Sequence, residues 1–314
     1  MPLHRIRSPL FGPVVIAILI ALCTARAAGQ ELPIARFNAD ASLVLVPVTV
    51  TDASNRFILG LQKQNFHLLE DGTEQTIAHF SGEDAPLSLG VVFDISGSMD
   101  NKLRLSRQAA AQFLKTMNAD DEAFLVAFGD HARLVSAFTS DLDKVENNLM
   151  SLQPGGLTAL FDGVEMALRE MKKSRNPRKA ILIISDGGDN NSRYSSAQIQ
   201  SLVREADVQV YAMGVFEPVI FFGMTKEEIS GPRLLTEIAE QTGGRVFAAT
   251  DPGDLPSIAA RIGIELRNQY VLAYGPQNGR KDGKFRRVQV RVTEPEGLSG
   301  LKLRWRMGYY APSQ

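Results

Sequence analysis

Cysteine is almost missing: Cys23 is the single one in 314 residues, so no internal disulfide can form. Histidine is scarce too, and His4, His67, His79 and His131 show no H-E-x-x-H spacing, which argues against a zinc protease. No G-x-S-x-G nucleophile elbow, no P-loop and no glycine fingerprint after a first apolar strand occurs. Serine hydrolases of the elbow type, P-loop NTPases and dinucleotide enzymes lose their main signals. There is no long like-charge run, and the formal net charge is -1. Neither nucleic acid nor an anionic membrane surface is therefore expected as a partner. Internal repeats and low-complexity tracts are absent as well. What remains is a chain with 44% hydrophobic residues, enough for one large or two modest domains with a real core.

The first residues read as a secretory signal peptide. His4, Arg5 and Arg7 make a basic start, "LFGPVVIAILIAL" (residues 10–22) is short for a membrane span, and "ARA" (25–27) offers small residues for cleavage. Pro13 and the length of the run speak against an uncleaved anchor. Cys23 falls within the discarded segment, since Leu22 stands where lipoprotein processing wants a small residue. Processing near Ala27 is expected to give a periplasmic or secreted protein with no stable membrane span.

Three regions follow. Residues 42–80 read as strands, with "SLVLVPVTVTD" and "NFHLLEDGTEQTIAHF" and a hairpin turn at Asp71-Gly72. From about residue 85, short apolar strands alternate with helical stretches, the pattern of a mostly parallel sheet covered on both faces. "LSLGVVFD", "EAFLVAF", "ARLVSAF", "KAILIISD", "VQVYAMGVF" and "GRVFAAT" are the strand candidates. "LRLSRQAAAQFLKTM" puts Leu103, Ala110, Phe113, Leu114 and Met117 on one helical face. "FDGVEMALREMKK", "SAQIQSLVREAD" and "PRLLTEIAEQTG" give further helices, with a last one over about 254–267. Beyond it, "NQYVLAYGP", "KFRRVQVRVTEP" and "LKLRWRMGYYA" alternate like half-buried antiparallel strands. Neither flank is large enough to fold well alone. The expected organisation is a signal at 1–27 and an α/β domain at 85–263, inserted in a small β-sandwich-like domain built from 28–84 and 264–314. The stretch 216–232, "FEPVIFFGMTKEEISGP", reads as a rim loop whose Val219, Ile220, Phe221 and Phe222 either touch a partner or fold onto their own domain.

One turn is unusual. "VVFDISGSMDNK" (91–102) ends an apolar strand on Asp94, Ser96 and Ser98, three oxygen-bearing side chains at alternating positions. Ligands of open parallel sheets bind where strand order reverses, at the carboxyl ends of strands. A carboxylate with two hydroxyls is a hard oxygen set, suited to Mg²⁺, Ca²⁺ or Mn²⁺. "PGGLTALFDG" adds Thr158 and "IISDGGDN" adds Asp186. Simple capping is the competing reading for Asp94 and Ser96, and for Thr158 and Asp162. Capping accounts for any one residue, but not for five oxygen donors at the ends of adjacent strands.

This ordered set, D-x-S-x-S, then a Thr, then an Asp after a later buried strand, resembles a von Willebrand factor type A domain over roughly residues 85–263. The resemblance implies a doubly wound, Rossmann-like fold. It also implies a metal-ion-dependent adhesion site at Asp94, Ser96, Ser98, Thr158 and Asp186. The flanks, with "GYYAP" (308–312), resemble secreted bacterial von Willebrand factor A-related proteins. Asp162 and Asp189 are read as outer groups around the ion, or as caps.

The expected function is an exported, non-enzymatic binding module. Two carboxylates and three neutral hydroxyls leave a divalent ion electrically balanced and short of one donor, which a protein ligand's Asp or Glu supplies. Two alternatives stay open. One is a structural subunit of an envelope assembly with a stabilising metal. The other is a Mg²⁺-dependent hydrolase, for which Asp189 is the one obvious general base.

Overall fold

Period-two alternation in the flanks and strand–helix alternation between them give different architectures. The computed structural model describes residues 43–216, 226–249 and 251–313. The signal segment, Cys23 and the Val219–Phe222 cluster lie outside the described residues.

The first flank forms β1 (Val44–Thr51), β2 (Phe66–Glu70), β3 (Thr73–Gln75) and β4 (Ile77–Ser81). Asp71 and Gly72 make the β2–β3 turn at φ 47° and 85°, the positive pair that matches strand twist in a two-residue hairpin. The middle of the chain runs β5 (Leu87–Asp94), α1 (Leu103–Leu114), β6 (Glu122–Phe128), β7 (Ala132–Thr139), α2 (Leu142–Met150) and α3 (Leu160–Met171). It continues through β8 (Arg178–Ser185), α4 (Ser196–Glu205), β9 (Gln209–Val215), α5 (Lys226–Glu240), β10 (Val246–Ala249) and α6 (Leu255–Arg267). The second flank supplies β11 (Tyr270–Tyr274), β12 (Phe285–Val292), β13 (Lys302–Trp305) and β14 (Gly308–Tyr310).

The middle strands form one sheet in the order β10-β9-β8-β5-β6-β7. All its pairings are parallel except β6 with β7. β5 is buried at every position, as a central strand covered on both faces must be. One face packs against α1, α2 and α6 through Phe113, Leu149 and Ile262. The other packs against α3, α4 and α5 through Val164, Ile199 and Leu235. From β5 the chain moves to β6 on one side, and later returns to β8 on the other. The strand order thus reverses between β5 and β8.

Strands of both flanks interleave in two four-stranded sheets, β13-β1-β11-β4 and β14-β12-β2-β3. Val46 pairs with Leu272 in the first, and Leu68 with Val290 in the second. Their inner faces enclose Val48, Phe66, Leu272 and Val288 in a shared core. A sandwich therefore forms only when the two ends of the chain meet.

Several sequence expectations need correction. "LKLRWRMGYYA" is two strands, not one: β13 joins the first sheet, and the chain crosses at Arg306 and Met307 so that β14 joins the second. Arg306 anchors that corner by pairing with Asp207 at 2.6 Å. Helix α2 was not expected, because its apolar face is narrow; of its nine residues Val145 and Leu149 are buried. The presumed rim loop through residue 232 is already helical from Lys226. Helix α6 runs to Arg267, beyond the expected domain limit at 263. Among the described residues, no helix is long and apolar enough to cross a membrane.

The sandwich core holds one buried carboxylate, Glu70, which is 3% exposed. Its Oε2 accepts hydrogen bonds from Tyr274 Oη at 2.7 Å and Tyr309 Oη at 2.8 Å. Burial and the neighbouring carboxylate push both phenols far above their ordinary range. Hydrogen bonds to charged groups contribute about 1.5–3 kcal/mol. Tyr274→Phe is accordingly expected to lower unfolding free energy by about 2 kcal/mol, read from the urea midpoint at unchanged m-value. A loss below about 0.5 kcal/mol would show that this carboxylate does not need its phenol partners.

Candidate metal centre at the strand-order reversal

β5 and β8 lie side by side, with Phe93 opposite Ile184. Their carboxyl ends place Asp94 and Asp186 together at the reversal point. Asp94 is fully buried. Its Oδ1 accepts from Ser96 N at 2.8 Å, and its Oδ2 from Ser185 Oγ at 2.6 Å. Burial, and then the charge of Asp186, push its carboxyl up to about 7. Ser96 Oγ stands 3.2 Å from Ser98 Oγ, so the alternating positions do converge. Ser98 is exposed while Ser96 is buried, which orients the pair from the core outward.

Thr158 comes from the loop before α3, and backbone bonds tie that loop to both turns. Gly97 N donates to Gly156 O at 3.0 Å, and Gly155 N to Ile95 O at 2.8 Å. On the other side Thr158 N donates to Asn190 Oδ1 at 2.9 Å, and Asn190 N returns a bond to Thr158 O at 3.0 Å. Gly156 sits at φ +86°, and a Cβ there would lie 2.5 Å from Asp130 Oδ2. Only glycine lets the Thr158 loop close over the strand ends.

The structure thus brings all five predicted donors to one end of the sheet. It spends Asp162 and Asp189 differently. Asp162 accepts from the Arg193 backbone N and Nε, at 2.9 and 3.0 Å. Asp189 Oδ1 accepts from Phe161 N at 3.2 Å and Ser192 Oγ at 2.5 Å. Both hold the 189–194 loop against the start of α3, and burial raises the Asp189 carboxyl. Asp189 thereby caps the first turn of α3, whereas Asp162 holds the segment before α4 and caps neither helix.

Three contributors were missed. Ser185 braces Asp94, while its Oγ also accepts from Gly187 N at 2.9 Å. Asn190 fixes Thr158. Lys102, at the end of the 91–102 stretch, is only 6% exposed. Its Nζ lies 3.5 Å from Asp186 Oδ2. The charge sum read from the sequence, two carboxylates and neutral hydroxyls, therefore omits one ammonium group.

A divalent cation suits these residues. The donors are all oxygen. Asp94 and Asp186 are both buried side by side. Asp186 Oδ2 accepts no hydrogen bond, and its counter-charge among the described residues is the Lys102 ammonium at 3.5 Å. A further cation would offset the remaining repulsion between the carboxylates. Among the described residues, no group of three or more His, Cys, Asp or Glu is placed to hold a metal. A zinc-type cluster is thus not found there, and hydroxyls must complete any cation site at Asp94 and Asp186.

An oxygen-lined turn at the reversal point of a doubly wound sheet stands where open α/β domains bind their ligands. Residues 89–188 match the family model described as the von Willebrand factor type A domain, and the chain carries that domain. An uncharacterized protein of Borreliella burgdorferi is 26% identical over 182 residues, covering 51% of this chain and 53% of that protein. The uncharacterized protein sll0103 of Synechocystis is 29% identical over 114 residues, covering 34% and 27%. The chain thus spans about half of the first relative's length and about a quarter of the second's. Among solved structures, a von Willebrand factor type A protein from Catenulispora acidiphila shares the fold with TM-score 0.50 at 14% identity, over 88% of this chain and 74% of that one. Proximal thread matrix protein 1 of the mussel byssus, with a zinc-occupied MIDAS motif, gives TM-score 0.50 at 22% identity, over 63% and 49%.

Proposed function

We propose that this protein is an exported, non-enzymatic module that binds a protein partner through a divalent cation. Asp94, Ser96, Ser98, Thr158 and Asp186 would hold the ion. Mg²⁺ is the first choice, with Ca²⁺ and Mn²⁺ open to the same donors. The observation that carries the reading is the pairing of two buried carboxylates at the reversal point, where burial and the charge of Asp186 push the Asp94 carboxyl up to about 7. A bound cation would supply a coordination position for a carboxylate from a partner's Asp or Glu. The chain's own residues do the rest. Ser185 and the Ser96 amide fix Asp94, Asn190 fixes Thr158, and exposed Ser98 marks the open side. Leu157, 49% exposed beside Thr158, offers an apolar contact next to that opening. The zinc-occupied motif of the mussel protein supports cation binding in this fold. Export rests on the signal-like first 27 residues. A non-enzymatic role rests on the missing catalytic motifs and on Asp189 being engaged in holding a loop.

The test begins with calorimetric titration of Mg²⁺, followed by capture of envelope proteins in Mg²⁺ and in EDTA. One site per chain and EDTA-sensitive capture are expected. Thr158→Ala should weaken cation and partner binding several-fold with little change in melting temperature, because it removes one neutral oxygen from a loop. Capture that survives EDTA would favour the alternative, an envelope subunit whose β-sandwich makes the main contact.

A further inference from the structure

We propose that Lys102 sets the charge of the cation site, weakening its hold on a divalent ion while strengthening the loaded site's hold on a carboxylate. This rests on the cation-site reading above and adds a residue outside the five donors.

Lys102 caps the start of α1 directly after the Gly97–Met99 turn. Its backbone is fixed by two bonds, Lys102 N to Met99 O at 2.9 Å and Ser106 N to Lys102 O at 3.0 Å. The ammonium group lies inside, 3.5 Å from Asp186 Oδ2, with both side chains less than one-tenth exposed. A lysine is seldom buried unless paired. Burial also keeps the interaction from being screened by salt.

Two consequences of opposite sign follow. A fixed positive charge beside Asp186 repels an incoming cation, so metal affinity is lower than the donor set alone would give. The same charge remains when the ion is bound. With the ion bound, the ammonium adds one positive charge to whatever sum the other groups of the site give. An anionic ligand gains from that charge and a neutral one does not. These directions depend only on the sign of the group removed, not on other charges nearby. The site thereby gives up some cation affinity for selectivity toward carboxylates.

The experiment compares the whole protein with Lys102→Met and Lys102→Arg. Mn²⁺ affinity is read by electron paramagnetic resonance. Acetate affinity for the Mn²⁺-loaded protein is read from broadening of the acetate methyl resonance. Lys102→Met should bind Mn²⁺ about tenfold more tightly and acetate about tenfold more weakly. Lys102→Arg should stay near wild type in both. In EDTA, Lys102→Met should melt lower than wild type and gain more on adding Mn²⁺. If that variant fails to fold in EDTA, Lys102→Gln takes its place in the same two titrations. Unchanged Mn²⁺ affinity, or both affinities moving in one direction, overturns the role of Lys102 while leaving the cation site standing. A wild-type protein that binds no Mn²⁺ overturns the site itself.

Discussion

Asp94→Asn is expected to abolish cation binding and, at the same time, to make the metal-free protein more stable at neutral pH. Loss of an outer-shell group typically costs 10–100-fold in metal affinity, so loss of one of two carboxylate donors should cost roughly 100-fold or more. The stability gain has a separate cause. In the folded protein Asp94 titrates at about 7, against 3.8 for an unperturbed Asp. Between those values the folded chain holds a proton that the unfolded chain has released. Unfolding free energy then falls as pH rises, by up to about 1.4 kcal/mol per unit. The stabilising contribution is complete below about pH 4 and lost as pH passes 7. Wild type in EDTA should therefore melt higher at pH 5.5 than at 7.5, and Mg²⁺ should restore stability at 7.5 but much less at 5.5, where protons compete for the site. Asn keeps the shape and carries no charge, so Asp94→Asn should flatten this part of the pH profile. Differential scanning calorimetry at the two pH values, with Mg²⁺ and with EDTA, checks all of it. If the variant binds Mg²⁺ as wild type does, Asp94 is no ligand. If the pH dependence survives, its carboxyl is not what drives it.

Glu265→Ala is expected to give the largest loss of stability, on the order of 3–5 kcal/mol, the range for breaking a buried ion pair. Glu265 is fully buried in α6. It pairs with Arg245, whose Nε donates to Oε2 at 3.0 Å. Its Oε1 faces Tyr211 Oη, and that phenol oxygen accepts from Gln269 Nε2 at 3.1 Å. Gln269 Nε2 also reaches Thr49 Oγ1 on β1 at 3.2 Å. One polar chain thus runs from the parallel sheet, through α6, into the sandwich. Removing the carboxylate leaves the Arg245 guanidinium without its acid, and burying an unpaired charge is the costly outcome. Against a typical total of about 5–15 kcal/mol, that loss would leave the fold marginal. Glu265→Gln keeps volume and an acceptor, and should cost clearly less. Urea unfolding of both variants decides the matter. A loss below about 1 kcal/mol for the alanine variant would mean that apolar packing alone joins the two layers.

The flank pairing adds a reason why the parts stabilise one another. β1 lies between β11 and β13, and β12 between β2 and β14. Every central strand of the sandwich therefore borrows a neighbour from the opposite end of the chain. Arg267, the last residue of α6, pairs with both Asp84 and Asp121, binding the chain on either side of the α/β unit to its base.

The sequence by itself determined most of the elements and which oxygen-bearing side chains stand near the strand ends. Continuous apolar runs such as "GVVF" and "ILII" mark strands buried on two faces, and alternating runs such as "RRVQVRV" mark strands buried on one. Asp94, Ser96, Ser98 and Asp186 were legible because oxygen-rich turns after apolar strands are local features, and Thr158 because it stands in a Gly-rich loop before a helix. Strand order is not local. Only the tertiary structure decided that β8 lies beside β5, which brings Asp186 to Asp94 and lifts the Asp94 carboxyl. Only packing decided that Arg306 turns the chain from one sheet to the other, since "LKLRWRMGYY" carries no Gly or Pro until Gly308. Charge was misread for the same reason. Lys102 follows the turn as any surface lysine might, and its sequence neighbours are Asn101 and Leu103. Its approach to Asp186 depends on two segments that meet across the end of the sheet, a contact that no spacing along the chain encodes.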